Sequence, residues 1–257
     1  MSAGGAPAYV VRAPNWLGDT VMALPALAGL RAAAPDATIT VVGRWASVLR
    51  GQGVADAFLE YPAGAGRSRF AHALAGARPD VALILPNSFE AARAARRWHA
   101  RRRVGFDTDA RGALLTDRVP LPDPRRHQVD EYRLLVEALG MPAPAMEPRL
   151  RPPCEPALDA EAEALLAGAV PGKSAIGLHL GAAGGPAKRW AVASWAELAD
   201  RLAGKGLAPV LLGGPGDTAA ADAVLGLAAR VPASLVGRDR PALLPHLLRR
   251  LRCLVSA

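Results

Sequence analysis

Short apolar runs alternate with helical stretches along the whole chain. Tyr9–Arg12 is β-rich and halts at Ala13-Pro14. From Gly18 to Ala33, the positions Val21, Leu24, Leu27, Ala28 and Leu30 make an i, i+3, i+4 stripe, which predicts one long helix. Thr38–Val42, Ala57–Tyr61 and Val81–Leu85 predict further strands. The last is apolar throughout, as a strand covered on both faces is. Asn87 with Glu90 three residues on resembles a capping box, Val104–Phe106 reads as a short strand, and His127–Leu139 as a helix stopped by Gly140. Six prolines then crowd the stretch from Gly140 to Pro156, a density that excludes a helix or central strand and predicts a linker. Beyond it the pattern restarts. Asp159–Leu166, Trp195–Leu202, a segment begun by Asp217, and Pro241–Leu251 read as helices; Ser174–Leu180, Pro209–Leu212 and Cys253–Val255 read as strands. The expectation is an α/β chain with two parallel sheets wrapped by helices: a domain over residues 1–140, a Pro-rich linker over 141–156 and a second domain over 157–257.

Composition narrows the function classes. The 257 residues are 51% hydrophobic and 21% charged, too apolar for disorder. Aromatics are only 5%, so the core has to be built from Ala, Leu and Val. Two cysteines, Cys154 and Cys253, exclude a disulfide scaffold and a Cys-based zinc cluster. The five histidines show no HxxxH or HExxH spacing, so no metal site is expected. Ala13–Leu30, the longest weakly charged stretch, carries Asp19 and two prolines and falls short of a spanning run; Met1–Pro7 lacks the order of a signal peptide. The expected location is cytoplasmic. The net charge of +8 favours anionic partners: phosphorylated small molecules, nucleic acid or an acidic membrane face.

Three segments could carry chemistry. Asn15-Trp16-Leu17-Gly18-Asp19-Thr20 follows the first strand, where open parallel sheets hold ligands. Asp19 there either favours the helix N-terminus electrostatically or serves as a general base, with Gly18 allowing close approach of a substrate. Gly181-Ala182-Ala183-Gly184-Gly185-Pro186-Ala187-Lys188 lies between a strand and a helix; it is either a solvated loop or a diphosphate cradle of backbone N–H groups and Lys188. It matches neither a Walker loop nor G-x-G-x-x-G. In Gly213-Gly214-Pro215-Gly216-Asp217, the carboxylate either caps a helix or bonds a ribose hydroxyl. The run Arg93, Arg96, Arg97, Arg101, Arg102, Arg103 is either a solvated face or a contact for acceptor phosphates or an anionic membrane. Only Trp98 and Phe106 interleave it, which disfavours nucleic acid.

Together, Val11-Arg12-Ala13-Pro14-Asn15-Trp16-Leu17-Gly18-Asp19-Thr20-Val21 with Leu24-Pro25-Ala26-Leu27, Gly184-Gly185-Pro186-Ala187-Lys188-Arg189-Trp190 and Leu212-Gly213-Gly214-Pro215-Gly216-Asp217 resemble glycosyltransferase family 9, the bacterial ADP-heptose:lipopolysaccharide heptosyltransferases, and within it the heptosyltransferase II type. The resemblance implies a GT-B fold of two Rossmann-like domains facing across a cleft. It implies an inverting, metal-independent and cofactor-free transfer of heptose from ADP-L-glycero-D-manno-heptose to the phosphorylated inner core of lipopolysaccharide, at the cytoplasmic face of the inner membrane. Carried over, Asp19 is the base, and Asn15, Gly18, Arg67 and Arg69 contact the acceptor. Lys188 and the backbone of Gly181 and Ala182 hold the donor diphosphate, and Asp217 lies near the ribose. Another sugar or acceptor within the family, or a non-catalytic nucleotide-sugar-binding remnant, stays open. An arginine-driven nucleic-acid binder is a third reading, which predicts steeply salt-dependent affinity.

One departure is visible. The family carries Asp-Ser/Thr-Gly-x-x-His just after a late strand, and this chain ends at Leu254-Val255-Ser256-Ala257, where that motif is due. The expectation is a second domain that is truncated, with weak ADP-sugar binding and impaired turnover.

Overall fold

The computed structural model describes residues 6–62, 64, 66–151, 155–172, 174–181, 186–238 and 240–256. The chain forms two compact units, Met1–Arg151 and Pro152–Ala257.

In the first unit the strands are β1 (Ala8–Arg12), β2 (Thr38–Val42), β3 (Ala57–Leu59), β4 (Val81–Ile84), β5 (Arg102–Phe106) and β6 (Asp117–Val119). They pair in the order β3-β2-β1-β4-β5-β6, parallel throughout. Among the described residues five helices cover the sheet: α1 (Leu17–Met22), α2 (Leu24–Ala33), α3 (Gly66–Gly76), α4 (Phe89–Arg97) and α5 (Gln128–Glu137). One apolar layer joins Leu27, Leu30, Ile39, Val41, Leu83 and Leu135 on the α2/α5 face; the other packs Val10, Val42, Ile84 and Trp98 under α3 and α4. Helix α4 turns Ala91, Ala92, Ala94 and Ala95 inward. These small side chains let the helix lie close to the sheet, and Trp98, fully buried, fills the remaining space.

The single helix expected over 18–33 is broken at Ala23. Pro25 has no N–H to give to the carbonyl of residue 21, so α1 ends with Ala23 N–H on the Asp19 carbonyl at 3.0 Å and α2 starts afresh. The cap of α4 is Ser88, whose Oγ accepts from Ala91 N–H at 3.3 Å, not Asn87. Residues of the Pro-rich stretch pack on this unit: Arg133 Nε donates to the Ala143 carbonyl at 2.7 Å, and Gln52 pairs with the backbone of Arg151 through two hydrogen bonds, of 2.8 and 3.2 Å. Gly29 permits this, since a Cβ there would stand 3.2 Å from Ala143 Cα.

The second unit contains α6 (Pro156–Ala169), β7 (Ala175–His179), α7 (Val192–Gly204), β8 (Ala208–Leu212), α8 (Thr218–Leu227), β9 (Ala233–Ser234), α9 (Leu244–Arg250) and β10 (Cys253–Ser256). Its strands run parallel in the order β10-β7-β8-β9. Pro209 sits inside β8 without losing a ladder bond. Ala208 N–H points to Ser174 on the β7 side, so alternation turns residue 209 the other way, where the two residues of β9 pair only with Val210 and Leu211. Trp195, Ala199, Leu211 and Val224 fill one face; Ala162, Leu166, Val210, Leu243 and Leu247 fill the other. Each unit by itself is a parallel sheet wrapped by helices, as the resemblance implies for each domain. Among the described residues, no helix is long and apolar enough to cross a bilayer.

Candidate functional site

The segment after β1 is built around a buried arginine. Arg12 ends β1, 2% exposed, and its guanidinium donates to the Ala13 carbonyl and, at 2.7 Å, to Asn15 Oδ1. The same guanidinium lies 4.4 Å from the Tyr61 ring centre, a cation–π contact. Its Nε has no partner among the described residues, and burial lowers its pKa from the ordinary arginine value. Trp45 Nε1 donates to the Asn15 carbonyl at 3.1 Å, and Thr20, fully buried, returns its Oγ1 to the Trp16 carbonyl at 2.9 Å. Asn15 is therefore held at its side chain and its backbone, and the loop it begins delivers Trp16, 62% exposed, and Gly18 to the surface.

Asp19 follows in the first turn of α1. It is half-buried, and its side chain accepts no hydrogen bond among the described residues. Burial raises its pKa above the usual carboxylate range, which makes it a stronger base than an exposed aspartate. Gly18 has a negative φ, and a Cβ there would meet nothing within 4 Å. Neither backbone conformation nor packing within the unit therefore demands glycine at 18.

Arg67 and Arg69 lie in the first turn of α3. Arg67 stands 5.3 Å over the Tyr61 ring, donates to the Pro62 carbonyl at 3.1 Å and pairs with Glu90 at 3.5 Å. Tyr61 donates its hydroxyl to Glu90 at 2.8 Å; burial first, and this bond to a carboxylate next, push its pKa up to about 12. Asn15, Arg12, Tyr61, Arg67 and Glu90 thus form one connected network at the carboxyl ends of β1 and β4. Arg69 is exposed and makes no hydrogen bond among the described residues.

A second buried arginine works beside it. Arg111, fully buried, donates from Nε to the Phe106 carbonyl at 2.8 Å, from Nη1 to the carbonyls of Pro86 and Ser88, and from Nη2 to Asn87 Oδ1 at 3.3 Å. It clips the loop after β4 to the turn after β5. Burial lowers its pKa too, opposed by the nearby charges of Asp109 and Asp107.

In the second unit, the glycine loops after β7 and β8 meet at Asp217. Its Oδ2 accepts from Gly214 N–H at 3.0 Å, while its own N–H donates to the Gly214 carbonyl at 2.9 Å. A Cβ on Gly181 would lie 2.6 Å from Asp217 Oδ2, and one on Gly213 2.8 Å from it. Asp217 makes no side-chain cap bond to α8; it reaches back and closes the turn after β8 instead. Lys188 is exposed in a 3-10 turn, Pro186–Lys188, and forms no ion pair among the described residues. Trp190, two residues on, packs edge to face on Trp195 at 5.0 Å between ring centres. Ala182 and the Gly184-Gly185 pair lie outside the described residues. Asp19 belongs to the first unit and Lys188 to the second.

Arg12, Tyr61, Glu90 and Arg111 were not among the expected site residues. The trace of Arg12 was an arginine closing an otherwise apolar strand, Tyr9–Arg12; Glu90 was visible, but as a helix-capping partner.

A family model, glycosyltransferase family 9 (heptosyltransferase), matches residues 67–257. Lipopolysaccharide heptosyltransferase 2 of Salmonella typhimurium is 32% identical over 234 residues, covering 84% of this chain and 66% of that protein. Its Escherichia coli counterpart is 31% identical with the same coverage. The chain thus spans 66% of the length of these curated relatives. The structure of E. coli ADP-heptose lps heptosyltransferase II superposes with a TM-score of 0.81 at 26% identity, covering 96% of this chain and 78% of that one. A family 9 glycosyl transferase from Veillonella parvula shares the fold, with a TM-score of 0.79 at 23% identity.

Proposed function

The chain belongs to glycosyltransferase family 9, and from that membership we propose that it serves heptose transfer from ADP-L-glycero-D-manno-heptose to the phosphorylated inner core of lipopolysaccharide. The observation that carries the proposal is Asp19: a carboxylate after β1, half-buried, without a hydrogen-bond donor among the described residues, its pKa raised by burial. A carboxylate whose only task was to favour a helix N-terminus gains nothing from such desolvation.

In this reading Asp19 takes the proton of the acceptor hydroxyl as its oxygen bonds to the anomeric carbon from the side opposite the leaving group. The carbon–oxygen bond to the diphosphate breaks, the anomeric centre inverts and ADP departs. Lys188 neutralises charge building on the diphosphate, the role a divalent cation plays in metal-dependent transfer. N–H groups of Gly181 and Ala182 assist it. Asp217 keeps Oδ1 without a hydrogen bond among the described residues, which suits a ribose hydroxyl. Asn15, Gly18, Arg67 and Arg69 receive the acceptor, whose phosphates match the arginines. The work takes place in the cytoplasm, peripheral to the inner membrane.

The test uses the chain and a chimera that adds, from the Salmonella relative, the residues outside the match. With ADP-heptose and a phosphorylated inner-core acceptor, the chimera is expected to release ADP, also in the presence of EDTA, and to prefer ADP-heptose to UDP- and GDP-sugars. Asp19→Ala is expected to lower turnover by orders of magnitude and to leave ADP affinity unchanged. Turnover indifferent to Asp19 refutes the base; a preference for UDP- or GDP-sugars refutes the donor.

A further inference from the structure

The basic helix α4 is left over by this reading. Its alanines face the core, and Phe89, Arg93, Arg96 and Arg97 face outward, Phe89 49% exposed. With His99 and Leu114 they line a shallow cavity of about 600 Å³. Among the described residues none of these three arginines forms an ion pair, whereas their neighbours do: Arg101 with Asp80 at 3.5 Å and Arg102 with Asp117 at 2.6 Å. Arg103, next to the patch, gives its donors to the carbonyls of Leu114 and Ala100 rather than to a carboxylate. Its pKa is lowered by burial and then by the charge of Arg96. The patch is therefore an uncompensated cationic surface with one large apolar side chain in it. Guanidinium groups pair with phosphate oxygens, and a phenylalanine among them is matched by the boundary between headgroups and acyl chains. A nine-residue helix is only about 13 Å long, and a single aromatic gives a nucleic-acid strand no stacking platform.

We propose that the outer face of α4, Phe89 with Arg93, Arg96 and Arg97, docks on an anionic phospholipid bilayer. The inference rests on the acceptor half of the reading above and names the surface that carries it. The first turn of α4 is tied to the candidate site. Ser88 caps it, Glu90 accepts from Tyr61, and Arg111 holds the carbonyls of Pro86 and Ser88. Contact at α4 thereby sets the height of the β1 and β4 ends above the lipid, where a membrane-anchored acceptor presents its hydroxyl.

Cosedimentation of the chain with vesicles tests it. Binding is expected to vesicles of phosphatidylethanolamine and phosphatidylglycerol, to weaken with salt, and to be absent with phosphatidylcholine alone. One arginine near such a surface is worth roughly fivefold in partition, so R93Q/R96Q/R97Q is expected to lose roughly two orders of magnitude. The triple R50Q/R126Q/R149Q removes the same charge from exposed arginines elsewhere in the unit and is expected to lose far less. If the first triple fails to fold by circular dichroism, R93Q alone is expected to show the fivefold drop. Equal losses in both triples, equal binding to phosphatidylcholine, or no binding overturn the proposal. Retention on single-stranded DNA that only the α4 triple loses, without vesicle binding, replaces it by nucleic-acid contact. The assay contains neither sugar nucleotide nor acceptor, so its failure and failure of the transfer reading are distinguishable.

Discussion

Gly181→Ala tests the joint between the two glycine loops of the second unit. The added methyl would stand 2.6 Å from Asp217 Oδ2, 2.8 Å from Oδ1 and 3.0 Å from Cγ. Asp217 is short, and Oδ2 is held by Gly214 N–H at 3.0 Å, so the carboxylate cannot yield without losing that bond. Overpacking of this kind costs about 1–3 kcal/mol. Asp217→Ala alone forfeits one hydrogen bond to a backbone donor, about 1 kcal/mol. Once the carboxylate is gone the methyl has room, so the double variant is expected to be no less stable than Asp217→Ala. The two changes are then strongly non-additive. Hydrogen exchange of β7 and β8 amides in increasing urea reads the second unit directly. A loss of about 2 kcal/mol, at a slope of about 2 kcal/mol per molar urea, lowers the midpoint by about 1 M. Additive losses, or a Gly181→Ala chain that exchanges like the parent, would mean that Asp217 does not wedge the two loops together.

Arg111→Met strands the carbonyls of Phe106, Pro86 and Ser88, and is expected to cost about 3 kcal/mol or more in urea unfolding; Arg111→Lys should not rescue it, because an ammonium cannot span the planar fork. Gly18→Ala is expected to stabilise the first unit by about 0.4–1 kcal/mol, since the site is open and φ is negative, while weakening acceptor use in the transfer assay. A loss of stability would show that packing, rather than a ligand, keeps residue 18 small. Asp19→Asn is expected to raise the melting temperature at pH 7–8. Burial raises the folded-state pKa of Asp19, so its favourable contribution is present below the unfolded value near pH 4 and is lost as pH rises through the folded value. The gap between variant and parent should therefore close on acidification, and a gap that widens in acid refutes the assignment.

The central strands were legible because burial on both faces leaves continuous apolar runs such as Val81–Ile84 and Ala208–Leu212. Helix α3 was not: GRSRFAHALAG buries only Ala71 and Leu74, so it has no stripe to read. The edge strands β6 and β9, three and two residues long, are likewise too short and too polar to register. The break at Ala23 was written in Pro25 yet outweighed by an unbroken hydrophobic period on either side. At the candidate site, local segments such as Asn15–Thr20 and Gly213–Asp217 were readable because strand, turn and helix follow one another in sequence. The pairing of Arg12 with Tyr61, or of Arg111 with the loop after β4, depends on which strands become neighbours. No local pattern carries that information.

Both units face the same problem at the carboxyl ends of their strands and solve it with opposite charges. Parallel strands end in a row of carbonyls, and the helices that follow begin with free N–H groups. The first unit answers the carbonyls with buried guanidinium groups, Arg12 and Arg111, which leave positive charge beneath the surface where Arg67 and Arg69 also lie. The second answers an N–H with a carboxylate, Asp217, so the backbone donors next to it are partly spent on protein. Under the proposed function, a phosphorylated acceptor would meet the first unit through side-chain charge, an attraction expected to weaken with salt. Under the same proposal, a nucleotide would match the second through main-chain donors and the exposed Lys188, contacts set by geometry more than by long-range charge. If so, salt separates the two halves: acceptor affinity should fall steeply with ionic strength while ADP affinity changes little.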